Sequence, residues 1–352
     1  RDCLLSRGLG DVYKRQIFVP HAGCPHQCSF CNQKTISGAQ YAPTADDVHR
    51  ICRQALNEVR DKKNCEIAFF GGSFTAINRG YMTSLLEAAK CYIGAEGFRG
   101  VRISTRPDFI DRDILELLRS YGVTSIELGA QSMKNHVLEA NERGHTAEDV
   151  YNASALIREY GFELGLQMMV GLYRSSVYDE RKTTERIMKI HPDTVRIYPV
   201  VVLKGTKLAD LYESGKYKLM PFDEVVELCA YMLEEFDING IEVIKCGLHA
   251  SDGVEGEMVA GYYHPAFKEL CEGLLYRKGM EYIIRDILLI NSAGNSFIES
   301  KQKAFTFAVN SSCVSKALGH KKSNVEYFRK MGVDIRIICD KEIPKYQCEM
   351  KE

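Results

Sequence analysis

The chain has 352 residues, 46 Lys+Arg against 47 Asp+Glu for a net charge of −1, 45% hydrophobic residues, 13 cysteines and no Trp. That describes a globular chain long enough for one barrel-sized domain and an appendage. It excludes disorder, collagen, coiled coil and nucleic-acid binding by bulk positive charge alone. No run of about 18 apolar residues occurs, which excludes a membrane-spanning helix.

Residues 1–16 (RDCLLSRGLGDVYKRQ) join abruptly to the apolar run Ile17-Phe18-Val19-Pro20; they read as a non-native leader and are set aside. From Ile17 to Leu248 short apolar or β-branched runs alternate with amphipathic stretches. The runs at 17–20, 66–70, 101–104, 125–128, 163–170 and 194–198 predict strands. Those at 45–60, 80–93, 111–121, 147–160, 177–190 and 222–236 predict helices. Six strands alternating with six helices imply a parallel α/β sheet covered by crossovers, either doubly wound or a TIM-like barrel. In both, reactive groups gather at the C-terminal ends of the strands, and the unusual residues fall there: Cys24 to Cys31, Gly71-Gly72, Thr105-Arg106-Pro107 and Gly129-Ala130-Gln131-Ser132.

After His249 the pattern changes to a Gly- and acid-rich link over 251–261, then to mixed short elements. The predicted organisation is therefore a leader (1–16), a core (17–248) and an extension (249–352). Residues 301–352 carry eleven Lys/Arg against six Asp/Glu, which reads as a solvated helix face or as a contact for RNA or an acidic partner.

The other cysteines are scattered singly, which fits a reducing cytoplasm better than a disulfide framework. Cys52, Cys91, Cys229 and Cys271 fall in helical runs and read as small buried hydrophobes. Cys246, Cys271 and Cys313 are too widely spaced to suggest a second cluster.

Cys24-Pro25-His26-Gln27-Cys28-Ser29-Phe30-Cys31 places three thiols in the spacing C-x3-C-x2-C directly after a strand. Three soft ligands on a tight loop suit three irons of a [4Fe-4S] cluster and leave the fourth iron open for chemistry. Zinc is the rival, with His21 or His26 as a fourth ligand, although no second Cys pair follows.

The three-Cys loop, with Phe30 before its last Cys, resembles the signature of radical S-adenosylmethionine (SAM) enzymes. The motifs Cys31-Asn32-Gln33, Phe70-Gly71-Gly72-Ser73-Phe74, Ser104-Thr105-Arg106-Pro107-Asp108, Glu127-Leu128-Gly129-Ala130-Gln131-Ser132, Asn141-Glu142-Arg143-Gly144-His145-Thr146, Met168-Met169-Val170-Gly171-Leu172 and Arg196-Ile197-Tyr198-Pro199 narrow it to the radical SAM portion of Elongator subunit 3 and its relatives.

The resemblance implies a partial (β/α)6 TIM-like barrel with a small α+β C-terminal extension. It implies an enzyme holding a [4Fe-4S] cluster on Cys24, Cys28 and Cys31. S-adenosyl-L-methionine would be cleaved reductively to a 5′-deoxyadenosyl radical, with an external electron donor of the flavodoxin or ferredoxin type. By the same resemblance Phe30, Gly71, Gly72 and Ser73 belong to the cofactor site, and Arg143 pairs with the SAM carboxylate. Gln131 and Thr105 face its ribose and methionine portions, and Met169 to Gly171 line the adenine.

Tyr198 is a candidate hydrogen or electron donor, with packing as the alternative; Lys204 is a second polar group near the same strand end, and His249 and His264 are candidates for a lid. About 100 residues follow Leu248 without a Gly-rich acetyl-CoA loop, so acetyl transfer is not carried over. The substrate stays open between an RNA base and a small molecule or peptide, and a non-enzymatic iron–sulfur or zinc module is the contrasting class.

Overall fold

The computed structural model describes residues 17–19, 24, 26–32, 35, 41–248, 252–293 and 303–351. It divides into two units: one of residues 1–219, 241–245 and 249–263, the other of 220–240, 246–248 and 264–352. The leader, Pro20, His21, Pro25, Gln33 and His249 lie outside the described residues.

The first unit is built on a seven-stranded sheet in the order β1 (Ile17–Val19), β2 (Glu66–Gly71), β3 (Gly100–Thr105), β4 (Val123–Gln131), β5 (Glu163–Val170), β6 (Thr194–Pro199) and β8 (Glu242–Cys246). Pairing from β1 through β6 is parallel throughout. The crossovers are α1 (Ala45–Glu58), α2 (Arg79–Lys90), α3 (Arg112–Ser120), α4 (Asn135–Ala140), α5 (Ala147–Glu159) and α6 (Val177–Ile190). The alternation read from sequence is thus the α/β architecture observed, with an added strand, β8, at the edge.

Local chemistry starts three of these helices alike. Thr44, Thr146 and Ser176 each accept from the backbone N–H of an aspartate three residues on, Asp47, Asp149 and Asp179, whose carboxylate bonds back to the capping residue's own N–H. This reciprocal box satisfies donors that the first turn leaves open.

One face of the sheet is lined by charge. Arg196 grips Glu127 through Nε and Nη2 at 2.7 and 2.9 Å, and Arg102 reaches the same carboxylate at 3.3 Å. Arg102 also donates to Glu66 at 2.7 Å and Glu163 at 2.6 Å, and Arg99 bonds both of these at 2.6 Å. Three carboxylates and three guanidinium groups therefore balance across β2 to β6. Gly165 is required beside them, because a Cβ there would lie 2.7 Å from Glu127 Cγ.

Following β6 come β7 (Val201–Leu203), α7 (Lys207–Glu213) and, beyond α8 (Phe222–Ile238) of the second unit, α9 (Asp252–Glu257) and β9 (Met258–Gly261). Residues read from composition as a link therefore form a helix and a strand, and β9 pairs antiparallel with β7. Gly261 makes the pairing close, since a Cβ there would stand 2.6 Å from Val200 O.

In the second unit α8 (Phe222–Ile238) packs on α10 (Phe267–Ala293). A three-stranded sheet orders β10 (Lys303–Val309) between β11 (Val333–Cys339) and β12 (Cys348–Lys351), with α11 (Val314–Leu318) and α12 (Ser323–Lys330) in the connection. Its core gathers Tyr276, Met280, Phe307, Val309, Ala317 and Phe328. α10 corrects the expectation of short elements: it runs 27 residues, and Gly273 and Gly279 inside it are not breaks. A Cβ at Gly273 would lie 3.3 Å from Gly319 Cα and one at Gly279 3.3 Å from Cys348 Sγ, so both serve close packing.

Cys52, Cys229 and Cys271 are buried as expected, but Cys91 is exposed, because it caps the end of α2 instead of facing the sheet. Cys229, Cys246 and Cys271 come from three separate elements and hydrogen-bond one another. No helix among the described residues is long and apolar enough to cross a membrane.

Glu127→Ala removes the carboxylate that Arg196 grips and Arg102 shares in a buried network and is expected to cost about 3–5 kcal/mol in denaturant unfolding. Burial pushes the Glu66 carboxyl up, but Arg102 and the donors Arg99, Ser125 and Thr124 overcome it and hold the pKa at about 2 against an ordinary 4.5. Its contribution is therefore fully present above about pH 4.5 and lost as pH falls through 2. Acid titration of stability in Glu66→Gln is expected to lack that slope.

Candidate functional site

At the C-terminal ends of β1 to β5 five loops converge in sequence order, as parallel topology requires. The cysteine loop is pinned through Ser29. Its N–H donates to Asn141 O at 3.1 Å, its hydroxyl to Asn141 Oδ1 at 2.9 Å, and its carbonyl accepts from Leu208 N at 2.8 Å. Asn141, fully buried, carries the same loop to the β5 end by donating to Tyr173 O at 2.9 Å.

Cys28 is buried, and Arg143 Nη1 donates to its sulfur at 3.2 Å; Nη2 of the same guanidinium donates to Gly129 O at 2.7 Å. Cys24 is half-buried with its sulfur 3.7 Å from the Ser73 hydroxyl, and Cys31 is half-buried with its N–H on Cys28 O. Phe30 between them is half-buried. His26 is exposed and lies against Gly144, where a Cβ would meet its ring at 2.4 Å.

The ends of the strands carry unusual backbone. Gly71 has φ +125 and a Cβ there would lie 2.6 Å from Val19 O, so β1 can pair with β2 only because this residue is glycine. Gly72 donates to the same carbonyl at 3.1 Å, and Ser73 is buried beside it. Gln131 ends β4 at φ +62 after a register shift, a conformation that costs a non-glycine residue free energy. Gly171 follows β5 at φ +86.

The site residues expected from sequence fall into two groups. Cys24, Cys28, Ser73, Gly129, Gln131 and Arg143 are joined by the contacts above or lie within reach of one another; a Cβ on Gly129 would be 2.9 Å from Gln131 Nε2 and 3.2 Å from Arg143 Nη2. Thr105 has its hydroxyl 2.6 Å from that of Thr75, which ties the β3 end to the turn after Ser73. Met169 and Tyr198 are register partners on β5 and β6, both half-buried, and burial raises the Tyr198 phenol. Lys204 bonds the Gly256 carbonyl at 3.3 Å. His264 belongs to the second unit, edge-on to His320.

His145, Arg106 and Asn141 stand in quoted motifs, but their burial was not legible there. Burial, then Arg143 and Arg106, depress the His145 imidazole to about 3. It is neutral, with Nε2 at 3.3 Å from Ala130 O. Four buried polar atoms around these loops have no hydrogen-bond partner among the described residues: Arg106 Nη1, Gln131 Oε1, Arg143 Nε and His145 Nδ1. Donors and acceptors left open in one region fit a ligand that carries charge of both signs.

Among the described residues no three His, Cys, Asp or Glu side chains are already drawn together as a metal site. The loop's donor set, three thiols and no carboxylate, nonetheless fits iron–sulfur ligation by its chemistry.

Residues 18–184 match the Radical SAM superfamily and residues 192–277 the Radical_SAM C-terminal domain. A tRNA uridine(34) acetyltransferase of Methanocaldococcus jannaschii is 34% identical over 161 residues, covering 44% of this chain and 30% of that protein. Human Elongator complex protein 3 is 30% identical over 220 residues, 55% of this chain and 39% of that one. The chain thus spans well under half the length of these curated relatives. Among solved structures, the archaeal Methanocaldococcus infernus Elp3 with an N-terminal deletion superposes with a TM-score of 0.59 at 24% identity, covering 67% of this chain and 59% of that one. That likeness agrees with the fold expected from sequence.

Gly71→Ala is expected to destabilise the protein by about 1–3 kcal/mol. Because the clash is with β1, which leads into the cysteine loop, it is also expected to lower the iron retained after reconstitution, measured by metal analysis.

Proposed function

A radical SAM domain spans residues 18–184 of this chain and its C-terminal companion spans 192–277, and from that premise we infer an enzyme that binds a [4Fe-4S] cluster and SAM and acts on an RNA base. When bound, the cluster supplies the electron that splits SAM into methionine and a 5′-deoxyadenosyl radical. The observation that carries the reading is the link from Arg143 to both Cys28 and Gly129, which places a fixed guanidinium between the thiol loop and the end of β4.

Cys24, Cys28 and Cys31 would hold the cluster. Arg143 would orient a carboxylate with the Nε it leaves open, as a guanidinium fork suits carboxylate geometry. Gln131 offers an open carbonyl oxygen to an ammonium or hydroxyl donor, and the neutral His145 an open Nδ1 acceptor. Gly71 and Gly171 would shape the strand ends against which the ligand lies, since each has a positive φ and no room for a Cβ. Met169 and Tyr198 lie farther along the same sheet face as Gln167 and Arg196, where a substrate would meet them.

The RNA reading is supported by relatives named for tRNA uridine(34). A surface after β4 and β5 adds support. Tyr178 is 62% exposed, with Lys134 and Lys182 ammonium groups 5.4 and 5.6 Å from its ring centroid, and Arg174 lies 5.6 Å from the Tyr173 ring. Exposed aromatics among cations suit stacked bases and phosphates. Acetyl transfer is no part of the reading.

Anaerobic reconstitution with iron and sulfide, then dithionite and SAM, is expected to yield 5′-deoxyadenosine from the native chain and none from a Cys24/Cys28/Cys31→Ala variant. Added tRNA is expected to raise the yield several-fold. Product in the triple variant overturns the cluster assignment, and indifference to tRNA overturns the RNA assignment.

A further inference from the structure

The turn after β5 is clamped by a residue that no sequence motif singled out. Glu180, in the first turn of α6, is 1% exposed. Its Oε1 accepts from Gly171 N at 2.9 Å and from the Ser175 hydroxyl at 2.8 Å. On the other side of the same residue, Tyr217 Oη donates to Gly171 O at 2.5 Å. Tyr262 closes the third side, its ring 2.8 Å from where a Gly171 Cβ would stand. A single glycine is thus held by a carboxyl, a phenol and an aromatic face, all within the first unit.

We propose that Glu180 is a positioning residue that keeps the Gly171 turn in its ligand-binding form only while it carries a proton, so that affinity for the adenosyl ligand falls as the carboxyl ionises. This rests on the reading of Gly171 as part of the SAM site. Glu180 touches no ligand itself; it acts through Gly171.

Both donors to Glu180 converge on Oε1, which leaves Oε2 to hold the proton. The titratable groups that face the carboxyl are Asp179, its neighbour on α6, and Tyr217 from the segment after α7; neither is a cation. Burial is the largest influence and raises the pKa from 4.5 to about 7, against the opposing bonds from Gly171 and Ser175. A carboxylate formed there has no counter-charge to meet among the described residues, so ionisation favours withdrawal from the site and releases the Gly171 N–H. The folded carboxyl keeps its proton up to about pH 7 while the unfolded one loses it near 4.5, so ionisation costs stability as pH rises between those values.

Two measurements test this on wild-type protein and on Glu180→Gln, which keeps a neutral acceptor for Gly171 and Ser175 but cannot ionise. The first is melting temperature from pH 4 to 8. Wild type is expected to lose stability relative to the variant across the window from 4.5 to 7. The second is equilibrium dialysis of SAM against the anaerobically reconstituted protein at pH 6 and pH 8. With a pKa of about 7, the neutral fraction drops about tenfold between those values. Wild-type affinity is expected to fall by about that factor beyond any change in the variant.

Tyr217→Phe, which removes only the other clamp on Gly171, is expected to weaken binding equally at both pH values and leave the slope intact. Parallel melting curves in wild type and Glu180→Gln overturn the titration and the proposal with it. Divergent melting curves with identical SAM profiles overturn the positioning role. Absence of SAM binding at every pH, in protein whose melting curves do diverge, overturns the SAM site and not the titration of Glu180.

Discussion

The first unit depends on one buried ion group, the carboxylate of Glu127 held between Arg196 and Arg102. Taking these charges out of water costs several kcal/mol per ion, and attraction repays it only where the remaining donors and acceptors are also met. Here they are: Gln167 donates to Glu127 at 2.8 Å and to Ser104 at 3.1 Å, while Arg102 continues to Glu66 and Glu163. The network touches β2, β3, β4, β5 and β6. A slip of one residue in any of them would turn its member to the other face and strand a charge. An aliphatic interior would tolerate such a slip better, so the polar lining fixes register as well as stability.

Register carries upward to the strand ends, where the chemistry gathers. Because Glu127 is fixed, Gly129 and Gln131 emerge from β4 at a set height, and the register shift between them turns Gln131 into the left-handed region. Gly129 then offers its carbonyl to Arg143, which spans to Cys28. The same arginine therefore reads both the height of β4 and the position of the thiol loop. Asn141 and Ser29 make a second tie between that loop and the turn before Arg143. Two independent fastenings, one at Cys28 and one at Ser29, tie this loop to the end of the sheet.

Much of this was legible in the sequence, for identifiable reasons. Helices that begin Thr-x-x-Asp or Ser-x-x-Asp announce themselves, and β5 and α6 start and stop at the residues predicted. The C-x3-C-x2-C loop is a local signal that needs no tertiary information. The charged lining was not legible, since a charged residue in a short strand run does not show which face is interior, and Glu66, Arg102, Glu127 and Arg196 become a network only when five strands bring their charges together. α10 was hidden because its glycines mimic breaks and its apolar residues do not keep to one stripe. The meeting of Cys229, Cys246 and Cys271 was hidden by separation in sequence.

Glu127 and Glu180 show how one residue type serves two ends in one unit. Both are about 1% exposed, Glu127 midway along β4 and Glu180 in the first turn of α6. Burial raises each carboxyl, yet Arg196 and Arg102 reverse it for Glu127, whose pKa lies below the ordinary value, and nothing of that kind faces Glu180. A charge locked by two guanidinium groups cannot change state without unfolding its surroundings, which suits a floor. A carboxyl held only by a backbone N–H and a hydroxyl can exchange its proton for the movement of one turn. The difference lies in the partners each carboxyl meets, and it sets the locked carboxylate deep along the strands and the one proposed to titrate beside the turn after β5.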